Sequence, residues 1–176
     1  MILTGDEIIA NYFNKKIKID PFNSSNATTN SYDLTLGSHF LRYEDDFSDV
    51  RQPTRVQELR IPFGEQIQID KGDFLLGHSN EALGSDYFVP IIHARSGIAR
   101  LGLFVHVTAD LIDIGSYGQV TFQFYATRKI VLTPGIRIAQ VTFWKPMGKI
   151  SLYNGKYQGS IGPRASQVYQ DFLKGL

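Results

Sequence analysis

The chain has 176 residues, 43% hydrophobic, 20% charged and 12% aromatic, with 16 glycines; this suits one globular domain with a core of its own, a lean toward a turn-rich β fold, and no second domain. A formal charge of +1 gives no whole-molecule attraction for nucleic acid, so an anion site has to be a local cluster and the expected partner is small. Cysteine is absent, which removes disulfides, thiolate metal sites, a cysteine nucleophile and the His/Cys zinc centre of nucleobase deaminases.

The N-terminus MILTGDEIIA lacks the basic flank and long apolar core of a signal peptide, and no run reaches the length of a membrane span. A cytoplasmic protein without membrane contact is expected. Thr4-Gly5-Asp6-Glu7 fits a capping box, predicting a short opening helix with Ile8, Ile9 and Phe13 on its apolar face.

From Lys16 the pattern becomes brief alternating runs between Gly, Asn, Asp and Pro clusters. Strands are predicted at 31–36, 40–43, 66–69, 74–78 and 88–93. The acidic patch Glu44-Asp45-Asp46 reads as a solvated loop. Val120, Phe122 and Phe124 fall on one face of a later strand, with Thr121, Gln123 and Tyr125 on the other. The turn at Pro134-Gly135 leads into a strand at 137–144, and 149–153 reads as another. The stretch 154–165 is rich in Gly, Lys and Ser and is expected to be mobile. Ser166 is placed to cap a last short helix carrying Val168, Tyr169, Phe172 and Leu173.

Chemistry concentrates between Ala94 and Gln123. Ser96 and Arg100 stand at i and i+4, so a helical turn opened by Ser96 projects both from one side, as a phosphate site needs. The competing reading makes Ser96 a plain cap and Arg95 and Arg100 surface charges. Asp113 closes an apolar run before Gly115; it serves either a turn or as a carboxylate that holds a sugar hydroxyl or orients a water. Gln123, with flanking phenylalanines that face the other way, has to meet water, a polar interface or a pocket. His39, His78, His93 and His106 show no metal-ligand spacing and read as structural; Walker, dinucleotide and G-x-S-x-G patterns are absent. The glycine-flanked tail from Lys156 to Arg164 combines cations with an aromatic, suited to closing over a bound anion.

These residues together resemble the dCTP deaminase family, within the superfamily that also holds the trimeric dUTPases. The resemblance runs over nearly the whole chain: Met1-Ile2-Leu3-Thr4, Ser31-Tyr32-Asp33-Leu34-Thr35-Leu36-Gly37, Ala94 to Phe124, Lys156-Tyr157-Gln158-Gly159 and Gly162-Pro163. It implies one mainly β domain over 1–176, a distorted β barrel or jelly roll of the dUTPase-like β-clip type with short terminal helices. It also implies a homotrimer with sites between subunits and a tail, 154–176, closing over the site.

The nucleotide-binding set it implies is Arg95, Ser96, Gly97, Ile98, Ala99, Arg100, Asp113, Thr121, Phe122, Gln123, Tyr153, Lys156 and Ser160. Within it Arg95, Ser96 and Arg100 would bind phosphates, Ser96 would help hold the attacking water, Asp113 would contact the 3′-hydroxyl and Thr121 the pyrimidine. Tyr153 and Lys156 would complete the triphosphate site, with Mg²⁺ held by the phosphates rather than by protein, and without zinc. The ligands implied are dCTP, dUTP or dTTP.

Two departures stand out. The family's catalytic glutamate is replaced by Gln123, and Ser160 stands where the pattern has a glutamine. An amide cannot take a proton from water near neutral pH. Other residues lean toward the dUTPase branch: Arg95 to Ala99 and Arg137-Ile138-Ala139-Gln140 are similar to its motifs, and Asp113 to its water-activating carboxylate. Its tyrosine three residues after the aspartate is Ser116 here, with Tyr117 one step later, and its glycine-rich C-terminal motif is missing. Three expectations follow: a dCTP deaminase by descent with impaired deamination, a dUTP diphosphatase using Asp113 and Mg²⁺, or a noncatalytic nucleotide-binding protein.

Overall fold

Alternation decides the architecture. In the computed structural model, which describes residues 1–173, short antiparallel strands form three sheets. The opening helix α1 spans Gly5–Phe13. It is followed by β1 (Lys18–Asp20), β2 (Tyr32–Thr35), β3 (His39–Tyr43), β4 (Val56–Arg60), β5 (Ile67–Ile69), β6 (Phe74–Gly84) and β7 (Val89–Ala94). A short helix α2 (Ser96–Arg100) leads to β8 (Leu103–Phe104), β9 (Tyr117–Ala126), β10 (Ile130–Leu132), β11 (Arg137–Trp144) and the last helix α3 (Tyr169–Leu173). The largest sheet has the order β4-β3-β6-β9-β8 with β1 also on β6; β2-β11-β7 and β10-β5 form the other two. The mainly β class and the two terminal helices agree with the expectation.

Strand β9 shows why the sequence folds this way. Val120, Phe122 and Phe124 are buried, the two phenylalanines completely, while Thr121 and Gln123 on the other face are half-buried. Phe122 and Phe124 pack into the same core as Phe40, Leu75, Val141 and Phe143. Burying such side chains supplies about 1.5–3 kcal/mol each, which fixes which face of β9 turns inward. Its partner β6 carries a bulge between His78 and Ala82. Ser79 makes the bulge tolerable: its hydroxyl accepts from Val120 N–H at 2.8 Å and donates to the Glu81 carbonyl at 2.6 Å.

Several expectations need correction. The Thr4 hydroxyl caps α1 by accepting from Glu7 N–H at 3.4 Å, but the Glu7 carboxylate accepts from the Asn11 amide at 3.3 Å instead of reaching back. Phe13 is 70% exposed, and it is Tyr12 that packs inward, stacked on Phe22 at 3.7 Å. Residues 149–153 form no strand; Tyr153 N–H reaches the Ile114 carbonyl at 2.7 Å without a ladder around it. β1, β4, β8 and β10, of two to five residues, lie outside the strands that the sequence predicts.

The acidic patch behaves as a surface loop, with Asp45 paired to Arg55. Ser166 accepts from Val168 N–H at 3.4 Å just before α3.

Candidate nucleotide site

The outer face of β9 carries the site. Period 2 puts Gln119, Thr121 and Gln123 in a row on that face, and the C-terminal segment lies along the row. Tyr117 N–H donates to the Gln158 side-chain oxygen at 2.8 Å, and Gln119 N–H to the Ser160 carbonyl at 2.8 Å. Gly162 N–H donates to Gln119 Oε1 at 2.6 Å, and Arg164 N–H to Thr121 Oγ1 at 3.0 Å. The next residue of the row, Gln123, receives no such bond among the described residues.

Close approach explains the glycine beside the row. A Cβ on Gly118 would stand 2.7 Å from the backbone nitrogen of Ser160 and 2.9 Å from its carbonyl oxygen, so only a bare backbone lets the segment settle there. Ser160 itself is buried and donates to the Tyr157 carbonyl at 2.6 Å.

Between this row and the loop 106–113 lies a cavity of about 420 Å³, a size usual for small-molecule sites. Asp113, Thr121, Gln123, Tyr153 and Ser160 of the expected set line it. Asp113 is exposed; its carbonyl accepts from Ser116 N–H at 3.1 Å, and its carboxylate has no protein partner among the described residues. Asp113 and Tyr153 also line an adjoining shallow cavity with Leu152 and Ile114.

The remaining expected residues lie elsewhere. Arg95, Ser96 and Arg100 do not line the cavity, nor do Gly97, Ile98, Ala99, Phe122 and Lys156. Phe122 is wholly inside the core, so its side chain packs rather than binds. The Lys156 ammonium is paired with Asp171. Arg95, not Ser96, is the cap residue of α2, and it makes no side-chain capping bond. Ser96, Gly97, Ala99 and Arg100 are exposed, whereas Ile98 packs against the core.

Arg95 is held from behind. Its Nε lies 3.3 Å from the Asp33 carboxylate, and Arg137 approaches the other oxygen at 3.9 Å. Asp33 is 2% exposed. Burial pushes its carboxyl above the usual carboxylate range, and the two guanidinium groups oppose that shift. Glu81 is likewise pushed up by burial, although it accepts from Thr35 N–H at 2.9 Å and from the Thr35 hydroxyl at 2.7 Å.

The cavity wall also holds residues to which the sequence assigns no binding role. His106, structural by its spacing, lines the cavity; its Nδ1 is buried without a hydrogen bond, and burial pushes its pKa down to about 4. Arg164 was noticed only as part of the tail, and it is the one cation lining the cavity among the described residues. No spacing signal could have found either, because the loop and the tail meet only through the fold.

Among the described residues no three His, Cys, Asp or Glu side chains converge as a protein-held metal requires. No described helix is long and apolar enough to cross a membrane.

Residues 2–146 match the family model described as dCTP deaminase-like. The chain is 38% identical over 175 residues to a "dCTP deaminase, dUMP-forming" of Clostridium botulinum (strain Alaska E43 / Type E3), and 37% identical over 175 residues to that of Clostridium beijerinckii. Each comparison covers 99% of this chain and 100% of the relative. Among solved structures, the 2′-deoxycytidine 5′-triphosphate deaminase from Agrobacterium tumefaciens superposes with a TM-score of 0.64 at 23% identity, over 81% of this chain and 47% of that one. The likeness to that structure concerns the fold. With the family model and full-length relatives agreeing, the chain belongs to the dCTP deaminase family.

Proposed function

We propose that the cavity beside β9 binds a pyrimidine deoxynucleoside triphosphate, and that the chain descends from enzymes that turn dCTP and water into dUTP and ammonia but is itself impaired in that step. The observation that carries this reading is Gln123, which lines the cavity on the outer face of β9 with no hydrogen bond from its amide to protein among the described residues. A carboxylate there would take a proton from water as it attacks C4 of cytosine and pass it to the departing ammonia. An amide can orient the water but cannot carry the proton, and general acid/base catalysis is worth roughly 10²–10⁴-fold. His106, held neutral by burial, is the one imidazole lining the cavity among the described residues.

A second reading, dUTP diphosphatase activity, is favoured by Asp113, which lines both cavities and whose carboxylate has no partner among the described residues. Relatives named as dUMP-forming also support it, since reaching dUMP from a triphosphate requires loss of pyrophosphate. In this reading Asp113 orients water at the phosphate chain, and Mg²⁺ bound by the phosphates supplies charge neutralisation.

The separation of Arg95, Ser96 and Arg100 from the cavity within one chain supports a site completed by a neighbouring copy, consistent with a homotrimer of the family type. The tail along β9 acts as the cover of the site, opening for exchange of nucleotide in the cytoplasm. Incubating the protein with dCTP and with dUTP in the presence of Mg²⁺, and resolving all products, tests both readings. Little ammonia from dCTP, restored in Gln123→Glu, supports the first; pyrophosphate from dUTP, lost in Asp113→Asn, supports the second. Substantial dUTP formation from dCTP by the unaltered chain would sink the account of Gln123.

A further inference from the structure

We infer that, whatever the cavity binds, Asn154 is a self-modifying site: in the folded protein it loses its side-chain amide through attack by Gly155, leaving aspartate or isoaspartate at the root of the C-terminal segment. Asn154-Gly155 is the one Asn-Gly step in the chain. Glycine has no side chain to shield its nitrogen or restrict its backbone, so it hinders such an attack less than any other neighbour. Tyr153 explains why glycine stands there. A Cβ on Gly155 would lie 2.4 Å from the Tyr153 hydroxyl oxygen, and a larger residue would push that ring from its place on the wall of both cavities.

The fold leaves the pair unguarded. Asn154 and Gly155 are both exposed. Among the described residues neither the Asn154 side-chain amide nor the Gly155 N–H makes a hydrogen bond, so no bond has to open before the two groups meet. The other asparagines are placed differently. Asn11 and Asn26 are buried, and Asn80 lies within β6. The Asn23 side-chain oxygen accepts from Ser25 N–H at 3.0 Å. Asn14 is the C-cap of α1 and precedes a lysine, and Asn30 precedes the buried Ser31.

In the reaction the Gly155 nitrogen bonds to Asn154 Cγ, the Cγ–Nδ2 bond breaks, and the glycine proton leaves with the amide as ammonia. Water then opens the five-membered imide. Addition at Cγ gives aspartate; addition at the main-chain carbonyl gives isoaspartate, whose backbone runs through the former side chain and is one carbon longer. Either product cancels the formal charge of +1. The longer backbone matters because hydrogen bonds span the pair. Tyr153 N–H is held by the Ile114 carbonyl at 2.7 Å, Tyr157 N–H donates back to the Tyr153 hydroxyl at 3.1 Å, and Gln158 N–H donates to the Gly155 carbonyl at 3.1 Å. Lengthening the chain between 153 and 157 breaks that register, and Tyr153 and Tyr157 both line the cavity beside β9.

The test is ageing of the full-length protein at mildly alkaline pH, folded and in parallel unfolded in urea, with every asparagine followed by peptide mass spectrometry and isoaspartate distinguished by fragmentation. Asn154 should convert in the folded protein at nearly the rate of the unfolded chain and ahead of every other asparagine. Asn154→Gln should abolish the change, since the longer side chain would have to close a six-membered ring. The isoaspartate form, separated from fresh protein by chromatography, should exchange its Tyr157 amide roughly fivefold faster, as loss of one hydrogen bond requires. Conversion slowed by folding roughly tenfold or more would show that the fold guards the pair. That result, or Tyr157 exchange unchanged in the isoaspartate form, overturns the inference.

Discussion

The Arg164 backbone N–H donates to the Thr121 hydroxyl at 3.0 Å, and among the described residues it is the last bond fastening the C-terminal segment to the outer face of β9. Gln123 lies two residues further along that face, so the point where the segment leaves the strand is the point where the cavity receives its open amide.

Thr121→Val removes this fastening at almost constant volume and leaves the Arg164 amide without its acceptor. The expected effect is local, about 1 kcal/mol. Amide exchange in 158–166 should quicken while the core of β9 and the unfolding temperature stay nearly as they were. Unchanged exchange in that segment would mean the Thr121 hydroxyl does not hold it.

Gly118→Ala attacks the same contact by volume. The new methyl would meet Ser160 backbone atoms at 2.7 and 2.9 Å, and backbone cannot swing aside as a side-chain tip can. The segment should lift from β9, with faster proteolysis after residue 154 and a roughly tenfold or greater loss of nucleotide affinity. Wild-type protease resistance and affinity would contradict this placement.

Asp33→Asn tests the support behind Arg95. The buried carboxylate faces two guanidinium groups at 3.3 and 3.9 Å, and an amide in its place leaves both without their counter-charge. Burial costs the ionised carboxylate more than the two partly exposed guanidinium groups return, so the expected loss is small, at most about 1 kcal/mol. A shift of the urea midpoint at unchanged slope measures it. An unshifted midpoint would show that the two arginines are satisfied by water.

How much of this could be read beforehand follows the range of the forces involved. The alternation of Val120 to Tyr125 is local, and it correctly gave both the buried face of β9 and the outward side chain of Gln123. The resemblance correctly gave the family, and five of its residues meet in one cavity. The Asp33 to Arg95 pair joins β2 to the residue just past β7, two strands that flank β11 in one sheet but lie far apart in sequence, and nothing in either local pattern announces it. The run 149–153 shows the opposite failure: its local pattern suits a strand, but among the described residues its one backbone hydrogen bond to another segment is from Tyr153 N–H to the Ile114 carbonyl. His106 and Arg164 acquire their place only when loop and tail are brought to the same face.

His106 makes the cavity wall sensitive to acid. Burial pushes its pKa down to about 4 from 6.5, an effect that the Asp110 charge only partly opposes. Between those two values the unfolded chain binds a proton that the folded one refuses, so acidification through that window favours unfolding. The contribution is roughly 3 kcal/mol when the window has been crossed. Asp33 and Glu81 act with the opposite sign, because their raised carboxyl pKa values let the folded chain take protons before the unfolded one does. The histidine is therefore isolated by comparison with His106→Gln, which keeps a polar side chain that does not titrate. Unfolding temperatures of both proteins, followed from above pH 6.5 down to about pH 4, should diverge, the wild type losing stability relative to the variant. Parallel profiles would mean that water reaches the imidazole in the folded state and that its buried Nδ1 is not the acid-sensitive point of this wall.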